Sequence, residues 1–168
     1  MTKDESLRAG RLVFYAQDMD RIQDVCDEFM RLSGAKCTLL IDKEGHLIAR
    51  RGTTQSFDTD TISALAAGSF AATKEMAKLL GEEEFSVLFH QGKRDSIQLV
   101  LVGERMLLAI VFDDRTTIGM VRLYGREAAE HLTTITNEAA KREPQGPDVS
   151  EEYGASAKKK LDDLFKGQ

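Results

Sequence analysis

FSVLFHQGKRDSIQLVLVGERMLLAIVF, residues 85–112, contains three apolar runs separated by two turn sequences. The runs predict strands over residues 85–90, 96–102 and 106–112, because each is rich in β-branched and large apolar residues. The turns between them each carry one glycine, Gly92 and Gly103. Three consecutive strands with such short connections predict an antiparallel meander.

Upstream of the meander, the sequence predicts a hairpin preceded by a helix. Strands over 37–41 and 46–50 flank a turn that contains Gly45. The apolar spacing over 17–33 is helical and Gly34 provides a stop, whereas the short apolar run 12–15 is expected to pair at a sheet edge.

Two further helices complete the predicted order. Asp58 and Asp60 offer capping oxygens to a long helix that runs to Leu80, and Thr116 and Thr117 do the same for a helix over 116–140. The order α-β-β-α-β-β-β-α predicts an α+β fold in which helices sandwich a five-stranded antiparallel sheet.

The chain of 168 residues and 18.7 kDa is expected to form one domain over residues 11–141. Residues 1–10 are polar and expected to be flexible. The only two prolines of the chain lie in 142–154, which predicts a linker. Residues 155–168 then predict an amphipathic C-terminal helix, and its docking face carries Leu161, Leu164 and Phe165.

Composition narrows the class of protein. The formal charge of −5 disfavours nucleic acid as a partner. Cys26 and Cys37 lack metal or redox spacing, which favours reduced thiols in the cytoplasm. No apolar run approaches the ~20 residues of a membrane helix, so membrane insertion is not expected.

Catalytic signatures are missing from the sequence. It has no nucleophile elbow, phosphate-binding loop, zinc-protease helix or dinucleotide fingerprint. His46, His90 and His131 are spaced too widely along the chain to suggest a metal site. We therefore expect a protein that is not an enzyme and has no catalytic residues, metal or cofactor of its own.

The second helix has the least ordinary pattern. Helical periodicity places one mainly apolar stripe on this helix, which we expect to face the core: Ile62, Leu65, Ala66, Ser69, Ala72, Met76, Leu79 and Leu80. The opposite side is rich in alanine where a solvated face is normally charged. It carries Asp60, Ala64, Ala67, Ala71, Lys74, Glu75 and Lys78, with Gly68 beside them. High helix propensity explains surface alanines simply, but we interpret this face as an interface.

A sheet with two helices on one face and this single helix on the other leaves a flat surface suited to two-fold self-association. We therefore predict a homodimer. The C-terminal segment allows two interpretations: a helix that docks in a groove of a partner protein, which we favour, or a terminus that folds back on its own domain.

Several sequences carry a family resemblance: LLIDKEG at 39–45, LAAG and AA at 65–72, LLGE at 79–82, FHQG at 89–92 and VFDDRTTIG at 111–119. Together with VRL at 121–123 and the terminal LDDLF, these short sequences resemble those of the Roadblock family of dynein light chains and small-GTPase regulators. The similarity covers roughly residues 11–140 and points to the bacterial members of the family.

The resemblance implies a homodimeric GTPase-activating protein for a Ras-like small GTPase of the MglA type, which acts in gliding motility and cell polarity. It implies a cytoplasmic protein concentrated at a cell pole. Two subunits would bind one GTPase, which itself carries GTP or GDP and Mg²⁺. The implied contact surface is the paired second helices, with Ala64, Ala67, Gly68, Ala71, Lys74, Glu75 and Lys78.

The implied mechanism holds the GTPase's own catalytic residues in place and donates no arginine. Arg115 is the other candidate arginine, but Asp113 and Asp114 offer it a structural pairing. The resemblance also implies that the C-terminal helix docks on the GTPase and modulates exchange or affinity.

Two alternatives remain: a dimeric scaffold that does not stimulate hydrolysis, and a sensory module that binds a ligand, for which the strands lack polar anchors.

Overall fold

A computed structural model of the protein describes residues 12–142. The predicted N-terminus 1–10, the C-terminal helix 155–168 and all of the predicted linker except Arg142 lie outside the described residues. In the described part, helices and strands follow in the predicted order. They are α1 (Ala16–Ser33), β1 (Cys37–Asp42), β2 (Leu47–Gly52), α2 (Thr59–Leu79), β3 (Val87–Gln91), β4 (Ser96–Val102), β5 (Met106–Phe112) and α3 (Ile118–Lys141).

The five strands form one sheet in the order β2-β1-β5-β4-β3, and all neighbours are antiparallel. The predicted α+β class and five-stranded antiparallel sheet are confirmed. Every residue of the central strand β5 is buried, which explains why its sequence is apolar without alternation.

The sheet separates two apolar cores. On one face, α1 and α3 pack against each other and on the sheet, with Ile22, Phe29 and Leu132 at the centre. On the other face, α2 alone covers Leu39 and Leu99. The expected placement of two helices on one face and one on the other is therefore confirmed.

Capping residues set the helix ends close to their predicted positions. Gly34 takes φ +67° and ends α1, and the Thr116 hydroxyl donates a 2.6 Å hydrogen bond to the Ser33 carbonyl. The Thr117 hydroxyl accepts from the Met120 N–H and begins α3. Local polar groups thus tie the end of α1 to the beginning of α3.

The expectation that residues 12–15 pair as an edge strand is wrong, because they form no strand. Phe14 instead packs against the core under α1 and α3. Tyr15 is the N-cap of α1, and its N–H donates to the Asp18 carboxylate at 2.9 Å. The Arg142 guanidinium lies 5.2 Å from the centre of the Tyr15 ring, so the end of α3 contacts the beginning of α1.

Of the helices within residues 12–142, none is long and apolar enough to cross a bilayer.

Candidate functional site: the exposed face of helix α2

Helix α2 has well-defined ends. The Asp58 carboxylate accepts hydrogen bonds from the N–H groups of Asp60 and Thr61, both at 2.9 Å, as expected for a helix N-cap. At the other end, the Leu80 N–H donates to the Ala77 carbonyl and Gly81 takes φ +82°. These caps fix the length of helix that lies across the sheet.

The side of α2 that faces the sheet is built from small residues and one aromatic ring. Its buried residues are Ser63, Ala66, Ala67, Phe70, Thr73 and Ala77. Because most of these side chains end at Cβ or one atom beyond it, the helix backbone lies close to the strands. Phe70 is the one large buried side chain of α2, and it packs in the apolar cluster between the helix and the sheet.

The opposite side of α2 exposes large apolar side chains. Leu65 is 65% exposed, Met76 53% and Leu79 87%. Gly68 and Ala72 lie between them, so apolar or small residues recur with a spacing close to a heptad. We name Leu65, Gly68, Ala72, Met76 and Leu79 the outer stripe. In a lone monomer this stripe faces water, which makes it a candidate interaction surface.

The expectation that Leu65, Ser69, Ala72, Met76, Leu79 and Leu80 face the core is wrong. All of them are exposed. The expectation followed apolar periodicity, whereas the side that contacts the sheet carries small residues and Phe70, and Leu65 and Met76 lie outside.

Of the predicted interface residues, Ala64, Gly68, Ala71, Lys74, Glu75 and Lys78 are exposed on α2. Ala67 is different, since it is 4% exposed and packs with Phe70 against the sheet. Its predicted place on the exposed face is therefore wrong. Ala67 lies next to Ala66 on the side of the helix that contacts the strands.

Charged residues border one side of the exposed face. Lys74 Nζ lies 3.7 Å from the Glu84 carboxylate, which also binds Lys43 Nζ at 2.6 Å. Lys78 Nζ pairs with Glu75 at 2.7 Å, one helical turn apart. These pairs are at least partly exposed and add little stability, but they present both signs of charge to a partner.

The turn between β1 and β2 presses against this same side of α2. A Cβ placed on Gly45 would lie 2.8 Å from the Cα of Ala64, and Gly45 has φ +97°. Only glycine meets both requirements. The hairpin turn and the first half of α2 therefore have a fixed spacing.

Arg115 is held by its neighbour. Its Nε lies 2.9 Å from Oδ1 and 3.1 Å from Oδ2 of Asp113. The hydrogen bond from Arg115 lowers the pKa of the Asp113 carboxyl below its usual value. The predicted structural pairing of Arg115 with Asp113 is confirmed.

One cluster of polar groups was not expected from the sequence. Asp42, Glu44 and His46 place ligand atoms within 4.8 Å of one another at the β1–β2 turn. The Asp42 carboxylate accepts hydrogen bonds from the N–H groups of Glu44 and His46, at 3.0 and 2.8 Å. These bonds stabilise the turn between β1 and β2.

Neither cysteine is placed for chemistry. Cys26 and Cys37 are free and buried, and burial raises the pKa of both thiols to about 11. Such thiols remain protonated at neutral pH and behave as small apolar side chains.

The predicted C-terminal docking residues Leu161, Leu164 and Phe165 lie outside the described residues. The candidate site within residues 12–142 is therefore the exposed face of α2, with the outer stripe on one side and the alanine and charged residues on the other.

Comparison with known proteins agrees with the overall fold. The Roadblock/LC7 domain matches residues 21–112. The gliding protein MglB of Thermus thermophilus has 38% identity, covering 76% of this chain and 96% of that chain with a TM-score of 0.71. Myxococcus xanthus MglB has 41% identity, covering 78% and 98% with a TM-score of 0.72. A structure described as MglB with tetrameric arrangement has 39% identity, covering 76% and 96% with a TM-score of 0.73. Comparison with curated proteins found no significant match.

Proposed function

Because the chain belongs to the Roadblock/LC7 family and is similar to MglB over most of its length, we propose that it activates a Ras-like small GTPase of the MglA type. In this proposal it acts as a homodimeric co-regulator in the cytoplasm, in cell polarity and gliding motility. The observation that carries the proposal is the apolar outer face of α2 on a fold shared with MglB.

Self-association is supported by two features of the structure. The outer stripe exposes Leu65, Met76 and Leu79, and pairing with a second copy of α2 would remove them from water. Strand β3 lies at the edge of the sheet, where its outward backbone groups have no neighbouring strand within residues 12–142. The MglB structure with a tetrameric arrangement shows that a similar chain self-associates.

We assign the two sides of the exposed α2 face to different contacts. The large residues of the outer stripe pair the two subunits. The adjacent small and charged side, with Ala64, Ala71 and Lys78, then contacts the GTPase. Small side chains let another backbone approach closely, and the Glu75–Lys78 pair adds polar contacts at the border.

The proposed mechanism orders the catalytic residues of the GTPase and adds none. An arginine donated to the nucleotide must extend freely toward the phosphates. The exposed side of α2 has no arginine, and Arg115 is bound to Asp113. The protein would therefore accelerate hydrolysis by holding the partner's own groups in the reactive arrangement.

We further propose that Leu161, Leu164 and Phe165 dock on the GTPase and modulate nucleotide exchange or affinity. Their spacing places them on one helical face, which suits a groove on a partner.

Single-turnover GTP hydrolysis by an MglA-type GTPase tests the proposal. We expect the protein to accelerate hydrolysis and Ala71→Arg to reduce that acceleration at least ~10-fold, which corresponds to ~1.4 kcal/mol of lost interaction. Ala140→Arg places the same side chain on an exposed position of α3 and is the matched control. Binding without acceleration would instead favour the dimeric scaffold.

A further inference from the structure

A groove lies on the face of the sheet opposite to α2. It has a volume of about 830 Å³ and runs between α3 and the strands β3 and β4. Phe89, Val100 and Ala129 give it an apolar floor. We name it the α3–β4 groove. Its volume suits several large side chains, and nothing in the α2 interface uses it.

The floor of the groove also holds a buried amide. Gln98 is 1% exposed, and its Oε1 accepts no hydrogen bond from any residue within 12–142. A buried acceptor without a donor costs free energy. Among the described residues, one polar atom beneath the groove floor is therefore left without a hydrogen-bond partner.

Charged residues stand in a row along the α3 side of the groove. Arg122, Arg126 and Glu130 are spaced four residues apart, so they share one face of the helix. All three are exposed, and the described residues provide none of them with an ion pair. From the end of α3 toward its beginning, the order of charge is negative, positive, positive.

The C-terminal segment carries the complementary order. Lys158, Lys159 and Lys160 precede Asp162 and Asp163, and the apolar Leu161, Leu164 and Phe165 are interleaved with them. The segment follows Arg142, which lies at the end of α3. If the segment runs back along α3, its lysines therefore reach Glu130 first. Its aspartates then lie beside Arg126 and Arg122.

The length of the chain permits this path. Along α3, the distance from residue 142 back to residue 122 is roughly 30 Å at ~1.5 Å per residue. Residues 143–157 span up to ~50 Å when extended at ~3.3 Å per residue.

We propose that in the free protein residues 158–165 occupy the α3–β4 groove of their own chain, antiparallel to α3. Leu161, Leu164 and Phe165 fill the apolar floor, and Asp162 and Asp163 pair with Arg122 and Arg126. This goes beyond the proposed function, because the groove holds the segment when no GTPase is present. GTPase docking of the same segment then requires its release from the groove.

Tryptophan fluorescence of the full chain tests the proposal without a GTPase, so the result is independent of the proposed function. The chain contains no tryptophan, and Phe165→Trp introduces a single reporter. We expect a blue-shifted emission and a several-fold smaller acrylamide quenching constant than for the same reporter combined with Arg122→Glu and Arg126→Glu. Adding Asp162→Lys and Asp163→Lys to that variant is expected to restore the protection.

The control is Lys93→Glu with Arg94→Glu, which makes the same change of charge at the exposed β3–β4 turn and is expected to leave the reporter protected. Circular dichroism confirms folding of every variant. A reporter that is fully quenched in the parent, protection that survives the reversal of Arg122 and Arg126, or protection lost on dilution would each overturn the proposal.

Discussion

Arg142 Nη2 lies 2.6 Å from Asp18 Oδ2, so the residue that follows α3 is bound to the first turn of α1. The Asp18 side chain is 4% exposed. Burial alone would raise the pKa of this carboxyl. Hydrogen bonds from Arg142 and the Tyr15 N–H, with the positive charges of Arg142 and Arg21, outweigh burial and lower the pKa.

We expect Asp18→Asn to lower the free energy of unfolding by about 1–3 kcal/mol, because it removes a charged partner from a buried site. Urea denaturation measures the change. Glu138→Gln is the control, since it breaks an exposed pair with Arg21 and should cost less than ~1 kcal/mol.

The effect of Asp18 also depends on pH. A group whose pKa is lowered by folding stabilises the protein above its unfolded pKa, here about 3.8, and this contribution is lost as pH falls through the lower folded pKa. The difference between wild type and Asp18→Asn should therefore be full at pH 6 and shrink below pH ~4. A difference that stays constant down to pH 2 would contradict this role of the carboxylate.

Ala67 and Ala71 should respond in opposite ways to the same substitution. Ala67→Arg places a long cation between α2 and the sheet and is expected to cost ~3 kcal/mol or more. Ala71→Arg adds the same side chain to the exposed side and should change stability by less than ~0.5 kcal/mol. Thermal unfolding of the two variants compares them. Equal destabilisation would contradict the orientation of α2, in which Ala67 faces the sheet and Ala71 faces outward.

The sequence predicted the order of elements and most of their ends. Apolar runs with flanking turn residues revealed the strands, and Asp58, Thr117 and Gly34 marked helix ends through local hydrogen bonds and a positive φ. These signals act within a few residues of the chain and can be detected without knowledge of tertiary contacts.

The orientation of α2 was not predictable in the same way. Hydrophobicity assigned Leu65 and Met76 to the core, which holds for a helix with one apolar side. Helix α2 has two apolar sides, and the side with the smaller residues packs on the sheet. The α3–β4 groove was also missed, because Gln98 has the sequence signature of a solvent-facing strand residue but is buried beneath α3.

Glycine substitutions should separate the cost of backbone strain from the cost of a steric clash with a neighbouring backbone. Both Gly45 and Gly81 have positive φ, but only a Cβ on Gly45 meets another backbone, at 2.8 Å from Ala64 Cα. We expect Gly81→Ala to cost ~1 kcal/mol through strain alone. Gly45→Ala should cost about 1–3 kcal/mol more, because α2 must move. Chemical denaturation of both variants gives the difference, and equal costs would show that the turn does not constrain α2.

The cysteines should be unreactive in the folded protein. With a pKa of about 11 for both thiols, roughly one in 10⁴ is ionised at pH 7, and both side chains are buried. We expect no reaction with a disulfide reagent over an hour in native buffer. In denaturing urea both Cys26 and Cys37 should react. Rapid native reaction would show that the core around α1 or β1 opens easily.

Arg115→Ala tests the proposed mechanism. Because Arg115 lies in the loop before α3, outside the proposed α2 contact, and pairs locally with Asp113, its loss should change stimulated GTP hydrolysis by less than twofold. Single-turnover rates measure this effect. A loss of tenfold or more would assign Arg115 a direct part in the reaction and contradict the ordering mechanism.

The central place of β5 has a consequence for folding during synthesis. Strand β1, near the beginning of the domain, pairs along its whole length with residues 106–111. Until β5 has left the ribosome, β1 has only β2 beside it, and both apolar cores lack their middle strand. The pairing of β1 with β5 joins segments that are distant in sequence, so it forms late and makes the domain one cooperative unit. The nascent first half is therefore expected to need protection from aggregation, for example by a chaperone.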